Sequence, residues 1–260
     1  MSLRVTLVQQ SLVWRDADAN RKRFESLLEP LSGRTDLVVL PETFTTGFTM
    51  QVEHAAEPAG GPTTGWLRRL ADQLGAAVAG SVITLEQGRY YNRLLWAEPG
   101  GSLRHYDKRH LFRMAGEHEH FTAGHAAWTV EWRGFKVCPL VCYDLRFPVF
   151  SRRRADLDYD LLIYVANWPA ARSYAWRQLL VARAIENQAF VAGVNRVGED
   201  GSGIAHQGDS RVCDFLGKPL ADLGNAPSVD TVELDVHSLR AFRERFPAHL
   251  DADRFTLTDP

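Results

Sequence analysis

Short apolar strands alternate with amphipathic helical segments along the chain, and this alternation constrains the fold more than any other sequence feature. Helical spacing of apolar residues occurs at 16–29, 66–74 and 174–187, where Ser173 is a plausible N-cap. Strand-like runs occur at 3–9, 36–40, 76–84, 91–97, 102–106, 135–141, 160–166, 189–194, 212–215 and 231–234. The pattern predicts a mixed α/β layered fold rather than a bundle or a β-sandwich. Periodicity alone does not distinguish two sheets between helices from one doubly wound sheet.

The composition permits one folded domain of this kind. Of the 260 residues, 45% are hydrophobic and 24% are charged, a balance that allows a sizeable core. We therefore expect a single domain over residues 1–260 with a short polar tail at 251–260. The formal net charge is -2 and no Lys/Arg-rich run occurs, which argues against nucleic-acid or anionic-membrane partners.

The termini and the cysteine content suggest a compartment. The N-terminal residues lack the apolar stretch and cleavage site of a secretory leader, and no apolar run approaches the ~20 residues that cross a bilayer. Three cysteines in a chain of this size do not indicate a disulfide framework. We expect a cytoplasmic protein, in which a thiol can stay reactive.

Cys142 stands where an apolar strand gives way to a polar turn. The strand-like run 137–141 precedes it, and Tyr143-Asp144-Leu145-Arg146 follows. Backbone N–H groups of such a turn can face a developing oxyanion, and a helix that starts nearby would favour the thiolate. The alternative is a small buried hydrophobic residue, which is our interpretation of Cys138 and Cys213. The local sequence leaves both possibilities open for Cys142.

Glu42 and Lys108 also follow strands directly. Glu42 comes after the strand that Pro41 stops, and Lys108 comes just after the run 102–106. If parallel strands place Glu42 and Cys142 at one rim of a sheet, the carboxylate can accept the thiol proton. The Lys108 ammonium can then favour the thiolate and the oxyanion. Taken singly, Glu42 is better explained as an exposed loop charge or a helix cap, and Lys108 as a surface lysine.

A metal site is the less favoured interpretation of the histidines. His118 and His120 have H-x-H spacing, but Glu117 and Glu119 make the segment resemble a solvated loop. A zinc site would need further Cys or His ligands at suitable spacing. We predict no bound metal.

Taken together, these segments resemble the nitrilase (carbon–nitrogen hydrolase) superfamily. The similar segments follow the family's order across nearly the whole chain: Leu40-Pro41-Glu42 for its glutamate motif, 107–112 for its lysine motif, 141–148 for its cysteine motif, and then Ala166-Asn167-Trp168-Pro169, 183–188 and Gly208-Asp209-Ser210.

The resemblance implies a four-layer α-β-β-α sandwich with a triad of Glu42, Lys108 and Cys142, and with no metal or organic cofactor. It also implies a second glutamate after the lysine motif, which Glu117 fits by spacing better than its neighbour Glu119. Similar proteins commonly form homodimers, here through the helix after the cysteine, 147–155, and the helix after Asn167-Trp168-Pro169.

The cysteine motif and Asn167-Trp168-Pro169 further resemble the omega-amidase branch, whose members hydrolyse the terminal amide of short α-keto acid monoamides such as 2-oxoglutaramate and 2-oxosuccinamate. We expect attack by Cys142, a thioester and release of ammonia, with Lys108 and the N–H of Tyr143 stabilising the oxyanion. Nitrile, N-carbamoyl or aliphatic amide hydrolysis on the same triad is the nearest alternative. A non-catalytic or redox thiol protein is a more distant one.

An anionic substrate needs a cationic group for recognition. Arg146 is the candidate, because a guanidinium can bind a carboxylate through two hydrogen bonds. A structural ion pair of Arg146 with Asp144 or another acid is the equal alternative. Phe44 and Trp168 stand in or beside motif segments, and we predict that they wall the pocket, whereas Phe112 is assigned to the core.

Overall fold

Residues 1–258 are described by the computed structural model, which contains two large β-sheets and one small β-hairpin. The strands are β1 (Ser2–Gln9), β2 (Leu37–Val39), β3 (Glu57–Pro58), β4 (Ala77–Glu86), β5 (Arg89–Ala97), β6 (Leu103–Asp107), β7 (Val130–Trp132), β8 (Phe135–Val141), β9 (Leu161–Ala166), β10 (Phe190–Asn195), β11 (Val197–Glu199), β12 (Ala205–Gln207), β13 (Arg211–Cys213), β14 (Pro219–Asp222) and β15 (Ser228–Asp235). The helices are α1 (Ala17–Leu28), α2 (Val52–Ala55), α3 (Pro62–Leu74), α4 (Glu117–His120), α5 (Pro148–Ser151), α6 (Ser173–Asn187) and α7 (Val236–Arg245).

Each large sheet has three parallel strands at its centre and antiparallel strands at its edges. The first sheet has the order β15-β1-β2-β4-β5-β6, with β3 beside β4, and the second has the order β14-β13-β10-β9-β8-β7. The central strands β1, β2 and β4 are parallel, as are β8, β9 and β10. Parallel neighbours need crossover connections, which α1, α3 and α6 supply.

Alternating side chains of the central strands build two hydrophobic layers. Leu37 and Val39 of β2 join the core that the two sheets share, whereas Val38 joins the core beneath α1 and α3. On the far side, Trp176 and Leu180 of α6 pack on the second sheet. The layers are therefore α-β-β-α, and the predicted four-layer sandwich is confirmed.

Several local predictions were wrong at helix ends. Ser173 is not the N-cap of α6, because its hydroxyl instead donates to Asp209, and Arg172 occupies the cap position. The helix expected at 147–155 is only the four-residue α5, since the chain turns extended at Arg152. Strands β7, β11, β12 and β14 and helix α7 were not predicted.

The predicted hairpin around Pro99-Gly100-Gly101 is present as β5 and β6. Part of the predicted polar tail folds back, because Arg109 Nη2 donates to the carbonyl oxygen of Thr258 at 2.9 Å. Residues 259–260 lie outside the described part of the chain. Among residues 1–258, no helix has both the length and the apolar character that crossing a membrane requires.

Gly193 of β10 allows α6 to approach the second sheet closely. A Cβ at this position would lie 2.5 Å from Leu180 Cδ1 and 2.8 Å from Trp176 Cζ2. We predict that Gly193→Ala lowers the free energy of unfolding by about 1–3 kcal/mol, the usual cost of overpacking a core. Urea unfolding followed by tryptophan fluorescence measures the change.

Gly65→Ala is the matched control. Gly65 lies inside α3, and its nearest atom to an added Cβ is Arg69 Nη1 at 3.6 Å. This substitution should leave the free energy of unfolding unchanged or raise it by about 0.5–1 kcal/mol, because alanine has the higher helix propensity. Equal effects of the two substitutions would contradict the close approach at Gly193.

Candidate active site

Lys108 lies between two buried carboxylates. It follows β6 directly, and its Nζ donates to Glu42 Oε1 at 3.0 Å and to Glu117 Oε1 and Oε2 at 3.0 and 2.9 Å. The side chains of all three residues are at most 1% exposed. Such burial requires close pairing, because an ion loses its hydration when it leaves water. The sequence placed these residues in separate motifs, and the fold brings them into one cluster.

Of the two glutamates that follow the lysine motif, Glu117 is buried next to Lys108 and Glu119 is exposed to solvent. Glu117 opens α4 and turns inward to Lys108, and its Oε2 also accepts a hydrogen bond from the backbone N–H of Phe112 at 2.5 Å. Glu119 is exposed. His118 and His120 are also exposed, and residues 1–258 contain no cluster of three or more His, Cys, Asp or Glu side chains arranged to hold a metal.

Asn92 is a member of this cluster that the sequence analysis missed. Its Nδ2 donates to Glu42 Oε1 at 2.7 Å and to Glu117 Oε1 at 3.3 Å. Its backbone carbonyl accepts a hydrogen bond from the N–H of Lys108 at 2.9 Å. Asn92 is fully buried in β5. The signal in the sequence that could have identified Asn92 is a polar residue at a buried position of a strand.

Glu42 is also fixed from the second sheet. Its Oε2 accepts a hydrogen bond from the backbone N–H of Asn167 at 2.7 Å, and the Asn167 side chain donates to the carbonyl oxygen of Glu42 at 2.5 Å. The side chain of Asn195 holds the neighbouring Trp168, because its Oδ1 accepts a hydrogen bond from the backbone N–H of Trp168 and its Nδ2 donates to the Trp168 carbonyl oxygen. Asn195 also donates to the carbonyl oxygen of Gly208 at 2.9 Å, so the Gly208-Asp209-Ser210 segment is held next to Trp168.

Cys142 stands at the end of β8 in a left-handed backbone conformation, with φ of 43°. Thr43, directly after Glu42, has φ of 40°. For a residue other than glycine, such backbone costs about 1–3 kcal/mol and persists only where the surroundings enforce it. At Cys142 the turn that follows maintains this backbone conformation. Asp144 Oδ2 accepts a hydrogen bond from the N–H of Val141 at 3.0 Å. Arg183 Nη2 donates to the carbonyl oxygen of Leu145 at 2.6 Å.

The cluster lies between the two sheets and not at one sheet's rim. Glu42 follows β2 and Lys108 follows β6, both in the first sheet, whereas Cys142 follows β8 in the second. The prediction that Glu42 and Cys142 share a rim was therefore wrong. The carboxyl ends of strands from two facing sheets meet instead.

The resting thiol is protonated. Burial raises the pKa of the Cys142 thiol well above its usual range, the charge and hydrogen bond of Glu42 act in the same direction, and Lys108 opposes them only in part. The expected help from a helix N-terminus is missing, because a 3-10 turn follows Cys142 and α5 begins only at Pro148. The raised pKa of the Cys142 thiol thus contradicts the expectation of a favoured thiolate.

The neighbouring ionisable groups respond differently to burial. Burial acts to lower the pKa of Lys108, but the charges of Glu117 and Glu42 outweigh it, so this pKa lies above its usual value. Burial raises the pKa of Glu117, and the ammonium of Lys108 opposes that shift. Lys108 therefore stays charged throughout the neutral range.

A small cavity of about 70 Å³ opens at this cluster. Its lining includes Cys142, Tyr143, Arg146, Trp168, Phe112 and Arg172. Mainly apolar walls with a few polar groups are typical of a site for a small ligand.

Arg146 enters the cavity without an acidic partner. Its guanidinium lies 5.0 Å from the Trp168 ring centroid, and no carboxylate of residues 1–258 lies within 4 Å of it. Asp144 is occupied elsewhere, because it accepts hydrogen bonds from the Tyr106 hydroxyl at 2.8 Å and lies 2.7 Å from His110 Nδ1. The alternative of an Arg146–Asp144 ion pair is therefore contradicted.

The division of the aromatic residues between the cavity and the core differs from the prediction. Trp168 and Tyr143 line the cavity. Phe44 does not, because its ring is fully buried beneath α1 and α3, 5.7 Å from Phe24 and 5.8 Å from Trp66. Phe112, which the sequence assigned to the core, lines the cavity instead.

Comparison with known proteins identifies the family and agrees with the fold. A model of the carbon-nitrogen hydrolase family matches residues 4–244. The chain is 52% identical to omega-amidase YafV of Escherichia coli (strain K12) over 257 residues, 98% of each chain. It is 33% identical to 2-oxoglutaramate amidase of Bacillus subtilis (strain 168), covering 96% of this chain and 98% of that one.

A solved structure of the same superfamily has the same fold. XC1258 from Xanthomonas campestris, a CN-hydrolase superfamily protein with an arsenic adduct in its active site, superimposes with a TM-score of 0.97 at 51% identity. The match covers 99% of this chain and 100% of that one.

We predict that Cys142 reacts slowly with methyl methanethiosulfonate at pH 7 and faster as the pH rises. The reagent attacks the thiolate, and the raised pKa of the Cys142 thiol keeps that form scarce near neutral pH. Glu42→Gln should move the midpoint of the rate profile to lower pH, because it removes a negative charge beside the sulfur. Quenched samples analysed by peptide mass spectrometry give the rate.

Cys142→Ala is the control for this experiment, because Cys138 and Cys213 are also free thiols. A wild-type midpoint at or below pH 7 would contradict a thiol that is protonated at rest.

Proposed function

The chain belongs to the carbon-nitrogen hydrolase family, and from that premise we propose that it is an omega-amidase acting on the terminal amide of short α-keto acid monoamides, such as 2-oxoglutaramate and 2-oxosuccinamate. One observation supports this function above the others: a single cavity joins Cys142, Glu42 and Lys108 to the guanidinium of Arg146, which has no acidic partner among residues 1–258. The Escherichia coli relative is named an omega-amidase and the Bacillus subtilis relative a 2-oxoglutaramate amidase, and both names support this proposal.

In the proposed first half-reaction, Glu42, whose negative charge acts on the neighbouring Cys142 thiol, removes the thiol proton. The sulfur attacks the amide carbon, and the negative charge moves to the amide oxygen. The Lys108 ammonium and the backbone N–H of Tyr143 stabilise that oxyanion. Glu42 then gives its proton to the amide nitrogen as the C–N bond breaks, so that ammonia leaves and a thioester remains.

In the second half-reaction, water enters where ammonia has left. Glu42 takes a proton from the water, and the oxygen attacks the thioester carbon. The C–S bond breaks, the carboxylic acid is released, and the sulfur recovers its proton from Glu42. Glu117 positions the catalytic ammonium, since both of its carboxylate oxygens accept hydrogen bonds from Lys108.

We predict that Arg146→Ala raises KM for 2-oxoglutaramate by roughly 10- to 100-fold. A hydrogen bond between charged groups contributes about 1.5–3 kcal/mol, and truncation of Arg146 removes it. The KM of a neutral aliphatic amide should change little, because that substrate has no carboxylate. Ammonia release measured across a range of substrate concentrations gives both constants.

Cys142→Ala is the control and should release no ammonia from any substrate. Similar changes in KM for the neutral and the keto-acid amides would argue against carboxylate recognition by Arg146. Preferred hydrolysis of neutral amides or nitriles by the wild-type enzyme would favour the alternative activities of the same triad.

We further propose that the protein acts as a homodimer. Exposed apolar side chains stand on the two elements expected at the interface, namely Val149 on α5 and Tyr174 and Ile185 on α6. Arg152, directly after α5, donates to the carbonyl oxygen of Glu186 in α6 at 2.8 Å, so the two elements form one surface. Burial of such side chains against a second copy would remove apolar area from water.

We predict that Tyr174→Glu converts the dimer to a monomer, because it places a charge in the proposed apolar interface. Light scattering after size-exclusion chromatography gives the mass. Leu250→Glu is the matched control, since Leu250 is 74% exposed and Tyr174 is 73% exposed, but Leu250 lies near the C-terminus outside the proposed interface. Loss of the dimer in both variants, or in neither, would contradict this interface.

We also propose a cytoplasmic location. All three cysteines are free thiols, as a reducing compartment keeps them.

A further inference from the structure

A second guanidinium enters the same cavity at Arg172. It lies 5.3 Å from the ring centroid of Phe112, and its Nη1 is 3.9 Å from the sulfur of Met114, a weak acceptor. No carboxylate of residues 1–258 lies within 4 Å of it. The half-buried Arg172 therefore resembles Arg146: each is supported by an aromatic ring and neither has an acidic partner.

The backbone that carries Arg172 is held in place. Its N–H donates to the carbonyl oxygen of Pro169 at 2.9 Å, and its carbonyl oxygen accepts a hydrogen bond from Trp168 Nε1 at 2.9 Å. Trp168 is also the ring beneath Arg146. Trp168 therefore contacts both arginines: it lies against the guanidinium of Arg146 and donates a hydrogen bond to the backbone of Arg172.

The carboxylates near the cavity are engaged with other groups, and none of them pairs with Arg146 or Arg172 among residues 1–258. Glu42 and Glu117 are bonded to Lys108. Asp200 lines the cavity, but its Oδ1 accepts backbone hydrogen bonds from Ser202 and Ile204 at 2.8 and 3.0 Å, which stabilise the tip of the β11–β12 hairpin. Two like charges in one partly desolvated cavity repel each other, and an anionic ligand between them relieves that repulsion.

The head of an α-keto acid has the matching set of acceptors. Its carboxylate and the adjacent keto group present three oxygens, and a guanidinium donates two parallel N–H bonds. One guanidinium satisfies a simple carboxylate, and the additional keto oxygen gives the second guanidinium a partner. We propose that Arg172 is a specificity-determining residue that binds the α-keto carboxylate head of the substrate together with Arg146. This inference rests on the proposed function of the site.

Arg172→Met tests the proposal, because the methionine stem can still pack on Phe112 without the charge. Three substrates are compared by ammonia release: 2-oxoglutaramate, glutaramate, which lacks the keto group, and valeramide, which lacks the carboxylate as well. We expect kcat/KM to fall roughly 10- to 100-fold for 2-oxoglutaramate, less for glutaramate and hardly at all for valeramide. Arg113→Met, at an exposed arginine that does not line the cavity, should leave all three unchanged.

A binding measurement separates failure of this inference from failure of the proposed function. Calorimetric titration of 2-oxoglutarate into Cys142→Ala and into Cys142→Ala/Arg172→Met needs no turnover, and the second protein should bind at least tenfold more weakly. Equal affinities, or equal losses of kcat/KM on all three substrates, would overturn the role of Arg172. Tight, Arg172-dependent binding by an enzyme that does not hydrolyse 2-oxoglutaramate would support the α-keto carboxylate site and contradict the omega-amidase function.

Discussion

The buried ammonium of Lys108, held between Glu42 and Glu117, is the interaction on which the rest of the site depends. Three ionisable groups are withdrawn from water here, and the low dielectric makes each unsatisfied hydrogen bond expensive. Asn92 contributes a donor to both carboxylates, and the backbone of Asn167 contributes another to Glu42. Because these donors come from both sheets, the pairing of the charges also fixes the distance between the sheets at the site.

This network sets the state of the nucleophile. Burial and the neighbouring Glu42 raise the pKa of the Cys142 thiol, so that the thiol holds its proton near neutral pH. Under the proposed mechanism, Glu42 and Cys142 act as one unit, since the sulfur becomes nucleophilic only as its proton moves to the carboxylate. The left-handed backbone at Cys142 and Thr43 brings the two side chains together, and the hydrogen bonds around Asp144 and Arg183 maintain that geometry.

Two chemically different sets of residues meet at the cavity. Glu42, Lys108 and Glu117 form close ion pairs, whereas Arg146 and Arg172 lie against the rings of Trp168 and Phe112. Under the proposed function, a small substrate places its amide at the first set and its anionic head at the second. This polarity would orient the reacting bond and favour an acid as substrate.

The sequence by itself determined the α/β class, the positions of most of the longer strands and helices, and the strand-end positions of Glu42, Lys108 and Cys142, because periodicity and short motifs are local properties of the chain. The motif resemblance added the four layers and the family. Only the tertiary structure decided that Phe44 faces the core while Phe112 faces the cavity, since the direction of a loop side chain depends on what packs around it. It likewise revealed Asn92 and Arg172, which lack a local motif, and it reversed the expected pKa shift of the Cys142 thiol. Burial and charge pairing are long-range properties, and residues far apart in the chain supply them.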